Sequence, residues 1–182
     1  MSRLVLVRHG RAAAAWDADL DPGLDAAGRG QAEAMAAALA PAGPLPVVVS
    51  PMRRTRETAA ALERVWGVVA AVEPAVGEIR SPVDGLAGRG TWLRGLHAGR
   101  WPEQDDALQR WRDQVLAALA ALDRPTVVVS HFFGINAAVG AASGDDRLVC
   151  FSPDHCSRTV LENDGGRLRL VQLGAESSTP VM

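Results

Sequence analysis

The chain has 182 residues, 48% hydrophobic and 22% charged, the balance of one soluble globular domain and not of a disordered or fibrous chain. A formal net charge of -2 with scattered positive residues lacks the continuous basic face that nucleic acid requires, and leaves a small anionic partner open. All 19 basic residues are arginines, so Schiff-base and P-loop mechanisms, which need lysine, are excluded.

Met1 leads directly into the apolar run Leu4 to Val7, too short for a signal-peptide core, and no apolar run reaches membrane-spanning length. Cytoplasmic residence without a membrane partner is the expectation. Valine-rich runs without alternation recur at Val47 to Val49, Val68 to Val72 and Thr126 to Val129, and predict buried strands. Between them lie alanine-rich stretches with helical periodicity at Ala26 to Ala40, Pro51 to Trp66 and Gln104 to Leu122, followed by Phe133 to Ala142. Strands alternating with helices predict parallel βαβ units in an α/β fold. Ser50-Pro51 has the form of a helix start, serine capping the first turn and proline in the first helical position.

The segment from Glu73 to Pro102 is rich in Gly, Pro and Arg and predicts a long excursion with one short helix around Trp92. Farther on, Arg158 to Leu161 and Arg167 to Leu173 flank Asn163-Asp164-Gly165-Gly166, a turn that would join antiparallel strands. Past Gly174 a loosely held tail is expected. No boundary divides residues 1–182, so a single domain is predicted. Cys150 and Cys156 read as free thiols, and Asp145-Asp146 as a solvated turn, so no metal ligand is assigned. His97, His155, Trp92, Trp101 and Trp111 belong to no motif and read as structural.

Three apolar runs stop at reactive clusters: Val7 at Arg8-His9-Gly10, Val49 at Ser50-Pro51-Met52-Arg53-Arg54, and Val129 at Ser130-His131. Carboxyl ends of parallel strands share one edge of a sheet, the edge where ligands bind. Convergence there would unite two imidazoles with at least two arginines, a set suited to a phosphomonoester dianion. Arginine forks donate bidentate bonds to phosphate oxygens and keep their charge. Of the arginines after Ser50, Arg54 is placed to reach a bound anion, with Arg53 and Arg56 pointing elsewhere.

Leu6-Val7-Arg8-His9-Gly10, Ser50-Pro51-Met52-Arg53-Arg54 with Thr58-Ala59, Val129-Ser130-His131, and Leu24-Asp25 through Gln31-Ala32 together resemble the histidine phosphatase superfamily, also called phosphoglycerate mutase-like. The likeness extends from residue 4 to about residue 140. It implies a three-layer α/β/α sandwich with a mostly parallel central sheet and an antiparallel C-terminal strand. It also implies a hydrolase that attacks a small phosphorylated substrate with His9, passes through a phosphohistidine, and uses no cofactor or metal.

By the same resemblance Arg8, Arg54 and His131 would clamp the phosphoryl oxygens, with the Phe132 N-H as a further donor, and a carboxylic acid would protonate the leaving group. Glu78 is the candidate acid and Asp84 the reserve. Phosphoryl transfer of the mutase type, a phosphohistidine protein phosphatase and a non-catalytic phosphate-binding module are the alternatives. The chain departs from the family pattern at Phe132-Phe133, which would either reshape the leaving-group pocket or pack in the core. It departs again at Arg11, which would either meet a second anionic group or lie in solvent.

Overall fold

The computed structural model describes residues 1–15 and 18–177, apart from the side chain of Ala87. In chain order these form β1 (Ser2–Arg8), α1 (Ala26–Leu39), β2 (Val47–Val49), α2 (Arg53–Trp66), β3 (Ala71–Val72), α3 (Leu86–Leu96), α4 (Asp106–Ala120), β4 (Thr126–Ser130), α5 (Phe132–Ser143), β5 (Arg158–Asp164) and β6 (Arg167–Gln172), with short 3-10 turns between some of them. A single sheet has the order β3-β2-β4-β1-β5-β6. The strands from β3 to β1 are parallel, and β5 and β6 are antiparallel additions.

The layers follow from side-chain alternation along buried strands. Val5 and Val7 of β1, with Val127 and Val129 of β4, face Met35, Ala36 and Leu39 of α1 and Ala59 and Leu62 of α2. Leu4, Leu6 and Val128 face the opposite way, onto Val115 and Leu119 of α4 and Ile135, Ala138 and Val139 of α5. Because both faces are covered, the strands read in sequence as unbroken apolar runs. A third apolar cluster joins Leu93 and Leu96 of α3 to Trp101, Leu108, Phe132 and Phe133, which docks the predicted excursion onto the start of α5.

Three sequence expectations are corrected. The run Val68 to Val72 yields only a two-residue strand, with Val69 89% and Val72 50% exposed, because β3 is the sheet edge and both of its residues are exposed. Helix α2 begins at Arg53, not at Pro51; its N-cap is Met52, and no side chain caps it. The C-terminal segment is held, not loose, as far as Ser177: Asp154 N donates to Ala175 O at 2.8 Å, and Ser177 N to Ser152 O at 2.9 Å. Residues 178–182 of the predicted tail lie outside the described residues.

Candidate active site

Pairing of Val7 and Val49 with Val129 on either side sets the ends of β1, β2 and β4 at one level. The ladder continues past them, His9 N donating to Ser130 O at 3.1 Å and Ser50 N to Val129 O at 3.2 Å. Glu78 reaches the same edge from β3. The Ser130 hydroxyl donates to Val76 O at 2.8 Å, and Val76 packs against α4 and α5, so the turn before Glu78 is tied to β4. Crowding of the first turn of α1 against the loop after His9 demands glycine on both sides. A Cβ on Gly28 would lie 2.1 Å from Arg11 O, and one on Gly10 2.6 Å from Gly28 O.

His9 is buried, with Nδ1 2.8 Å from Gly10 O. A carbonyl only accepts, so Nδ1 carries the proton and Nε2 presents its lone pair. Arg54 Nε donates to that lone pair at 3.3 Å. Burial, then Arg54 and Arg8, hold the imidazole well below its ordinary pKa, which keeps the ring neutral.

Arg54 is the hub of the site. Its Nη2 lies 3.2 Å from His131 Nδ1 and 3.6 Å from Glu78 Oε2, and its Nη1 3.9 Å from Asp21 Oδ1. Arg53 instead turns to Glu57, and Arg56 is exposed, as their positions on the helix require. His131 is fully buried and places Nε2 2.8 Å from Ser50 Oγ. Ser50 therefore faces the site imidazole; it accepts from Met52 N at only 3.3 Å. A guanidinium only donates, so His131 Nδ1 accepts from Arg54 and its Nε2 carries the proton, donated to the Ser50 hydroxyl. Burial, Arg54 and His9 keep His131 well below its ordinary pKa as well.

Glu78 is buried, with Oε1 accepting from Ile79 N at 3.0 Å and Oε2 without a hydrogen bond, 3.4 Å from His131 Nδ1. Burial raises its pKa above the ordinary carboxylate range, against the pull of Arg54, Arg89 and Arg8. Asp84 is exposed before α3 and shares none of these contacts.

Arg8 is buried, its guanidinium 5.4 Å above the Phe132 ring, with Nη1 donating to Pro153 O at 2.8 Å. Desolvation lowers its pKa to about 10, so the cation persists near neutrality. Phe132 and Phe133 meet edge to face, at 5.3 Å between centroids, within the α3–α5 apolar cluster. Of their two readings the structure selects packing in the core. Arg11 pairs with Asp25 at 2.6 Å, the carboxylate that also caps α1.

His155, which sequence reasoning set aside, lies 6.0 Å from His9 between ring centroids. The predicted C-terminal hairpin carries no signal of its pairing with β1, and it is that antiparallel pairing that starts β5 at the edge where β1 ends. His97 lies 5.5 Å from the Phe132 ring and 5.8 Å from the Phe133 ring, behind the site.

The model of the histidine phosphatase superfamily (branch 1) matches residues 4–176. No curated protein matches the sequence. Among solved structures, mycobacterial glucosyl-3-phosphoglycerate phosphatase in complex with VO3 is 27% identical, with a TM-score of 0.75 and 97% of this chain and 100% of that one covered. Another, named mycobacterial hydrolase 1, is 26% identical at a TM-score of 0.74, with 97% and 100% covered. A Thermus thermophilus protein, 24% identical at a TM-score of 0.62 with 96% and 99% covered, shares the fold. Motif, sheet order and family match agree: the chain belongs to the histidine phosphatase superfamily.

Proposed function

We propose that the protein is a metal-independent phosphatase that hydrolyses a small phosphomonoester through a phosphohistidine on His9. The observation that carries this reading is the state of His9: buried and neutral, Nδ1-H held by Gly10 O, and the Nε2 lone pair turned toward Arg54. That nitrogen attacks phosphorus as the ester P–O bond breaks in line with it. Arg8, Arg54, His131 and the Phe132 N-H at the start of α5 bind the phosphoryl oxygens and offset the shifting charge. Opposite charges about 4 Å apart attract by ~4 kcal/mol at an effective dielectric of ~20.

Glu78 gives its proton to the departing oxygen, then takes one from the water that attacks the phosphohistidine. The P–N bond breaks, His9 regains its lone pair, and inorganic phosphate is released. Burial of Glu78 supports this role, since an acid must hold its proton near the working pH in order to donate it. Two structures of one relative support the phosphate chemistry: the mycobacterial phosphatase above was solved with VO3, and again, in a structure 25% identical to this chain, with inorganic phosphate. The non-catalytic alternative loses its main support, because Phe132 and Phe133 belong to the core.

The test is hydrolysis of an aryl phosphate with EDTA present, comparing wild type with His9→Ala and trapping acid-labile phosphate on the enzyme. Turnover with a His9-dependent label is expected. A folded wild type with neither turnover nor label across a broad phosphate panel would reject the phosphatase reading.

A further inference from the structure

The sheet order gives His9 two flanks. Ser50, Arg54, His131 and Glu78 all come from β4, β2 and β3 on one side, and β5 alone adjoins β1 on the other. His155, three residues before β5, is the side chain presented on that second flank.

The loop that carries it is anchored to the nucleophile's own strand. Arg8 Nη1 donates to Pro153 O at 2.8 Å, and Arg8 O accepts from Cys156 N at 2.9 Å, so one residue grips the loop on both sides of His155. From behind, Asp154 N is held by Ala175 O at 2.8 Å. Cys156 takes φ 56°, the only positive φ outside glycine among the described residues. A strained non-glycine residue persists where its surroundings over-determine it, and such residues gather at functional sites.

The imidazole of His155 has no hydrogen bond on either ring nitrogen among the described residues. Nδ1 lies 3.8 Å from Asp154 Oδ1, and the side chain is 24% exposed, so the ring is not sealed in the core. The charged groups around it are Arg8 at the end of β1, Arg11 after it, Asp25 at the start of α1, and Asp154 in its own loop, with His9 beside it. Burial and Arg8 outweigh the two carboxylates and bring its pKa down to about 4, so the ring is neutral and keeps one N-H to give.

We propose that His155 is a phosphate-contacting residue, donating a hydrogen bond to an oxygen of the phosphoryl group at His9 from the flank opposite Glu78. The proposal rests on the phosphatase reading. It adds a donor that the family motif residues named above do not include, and it assigns the substrate oxygen as the ligand of an otherwise unpartnered ring.

His155→Phe keeps a ring in place and removes the donor, whereas His155→Gln keeps a donor and removes the ring. Aryl phosphate turnover, competitive inhibition by inorganic phosphate, and the rise in melting temperature that phosphate causes over each variant's own baseline are measured for both and for wild type. Loss of one hydrogen bond to a charged oxygen predicts about tenfold weaker inhibition and about tenfold higher KM for His155→Phe, with His155→Gln nearer wild type. The assignment is overturned if His155→Phe binds phosphate as wild type does, or if the Gln variant is as impaired as the Phe variant. Wild type that neither turns over the ester nor binds phosphate would remove the phosphatase reading, and His155 with it. Active wild type matched by His155→Phe would remove the His155 assignment alone.

Discussion

His9 and Glu78 are both buried, and burial moves them in opposite senses, the imidazole toward its neutral base and the carboxyl toward its neutral acid. Two groups driven apart in this way suit the proposed parts of nucleophile and proton donor. His9→Ala is expected to lower kcat/KM for an aryl phosphate on the order of 10⁴-fold, because no neighbouring group replaces the covalent route. Glu78→Gln should cost about 10²-fold on an alkyl phosphate and much less on an aryl ester, whose leaving group needs little protonation.

The same variant has a second, opposite signature. An acid whose pKa is raised by folding binds its proton more tightly in the native state. Stability therefore falls as pH rises from the unfolded value near 4.5 toward the raised native one. Above that window the folded protein carries a buried carboxylate whose Oε2 has no hydrogen bond. Glu78→Gln removes the charge and should raise the melting temperature at pH values above that window, a gain of about 1–3 kcal/mol in stability as the desolvation of one buried group is relieved. Thermal melts of both proteins across pH check this. A gain confined to low pH would contradict it.

At the scale of single elements, the crossing of α1 over the loop after His9 is the tightest approach in the site's support. Gly28→Ala would drive a Cβ into Arg11 O, so α1 must lift away from Gly10. A loss of about 1–3 kcal/mol is expected by analogy with overpacked cores, accompanied by reduced turnover, in denaturant melts and kinetics. Element types were legible along most of the chain because valine runs and alanine-rich periodic stretches leave little ambiguity. Boundaries failed where one side chain had two uses. Ser50 before Pro51 has the form of a cap, but its hydroxyl faces the His131 imidazole 2.8 Å away, and the helix starts later without it. The motif residues Arg8, His9, Arg54 and His131 were visible because each sits at or just past a strand end. His155 was not, since its place depends on β5 running antiparallel beside β1, a pairing between residues far apart in sequence.

Across the whole molecule, the parallel strands bring their ends to one edge and the antiparallel β5 brings its beginning there, so the site draws on five of the six strands. Concentrating neutral histidines at that edge has a global effect. The pKa values of His9, His131 and His155 fall on folding, so the unfolded chain binds more protons below its histidine pKa, and stability falls as pH drops through about 6.5. Acid melts should show this slope, and inorganic phosphate, by binding the native state alone, should raise the stability by about 2.7 kcal/mol at 100 times its Kd.

The pairing of residues 174–177 with the loop before β5 ties the last described stretch of chain to the sheet edge that carries His9. Leu173, 40% exposed, stands at the entry to that brace. A protease that clips there, or a bulky fusion placed directly after it, would remove one of the two supports of the His155 loop and is expected to slow turnover without touching a residue of the proposed phosphate clamp. The tail is thus a handle by which activity can be changed from outside the site.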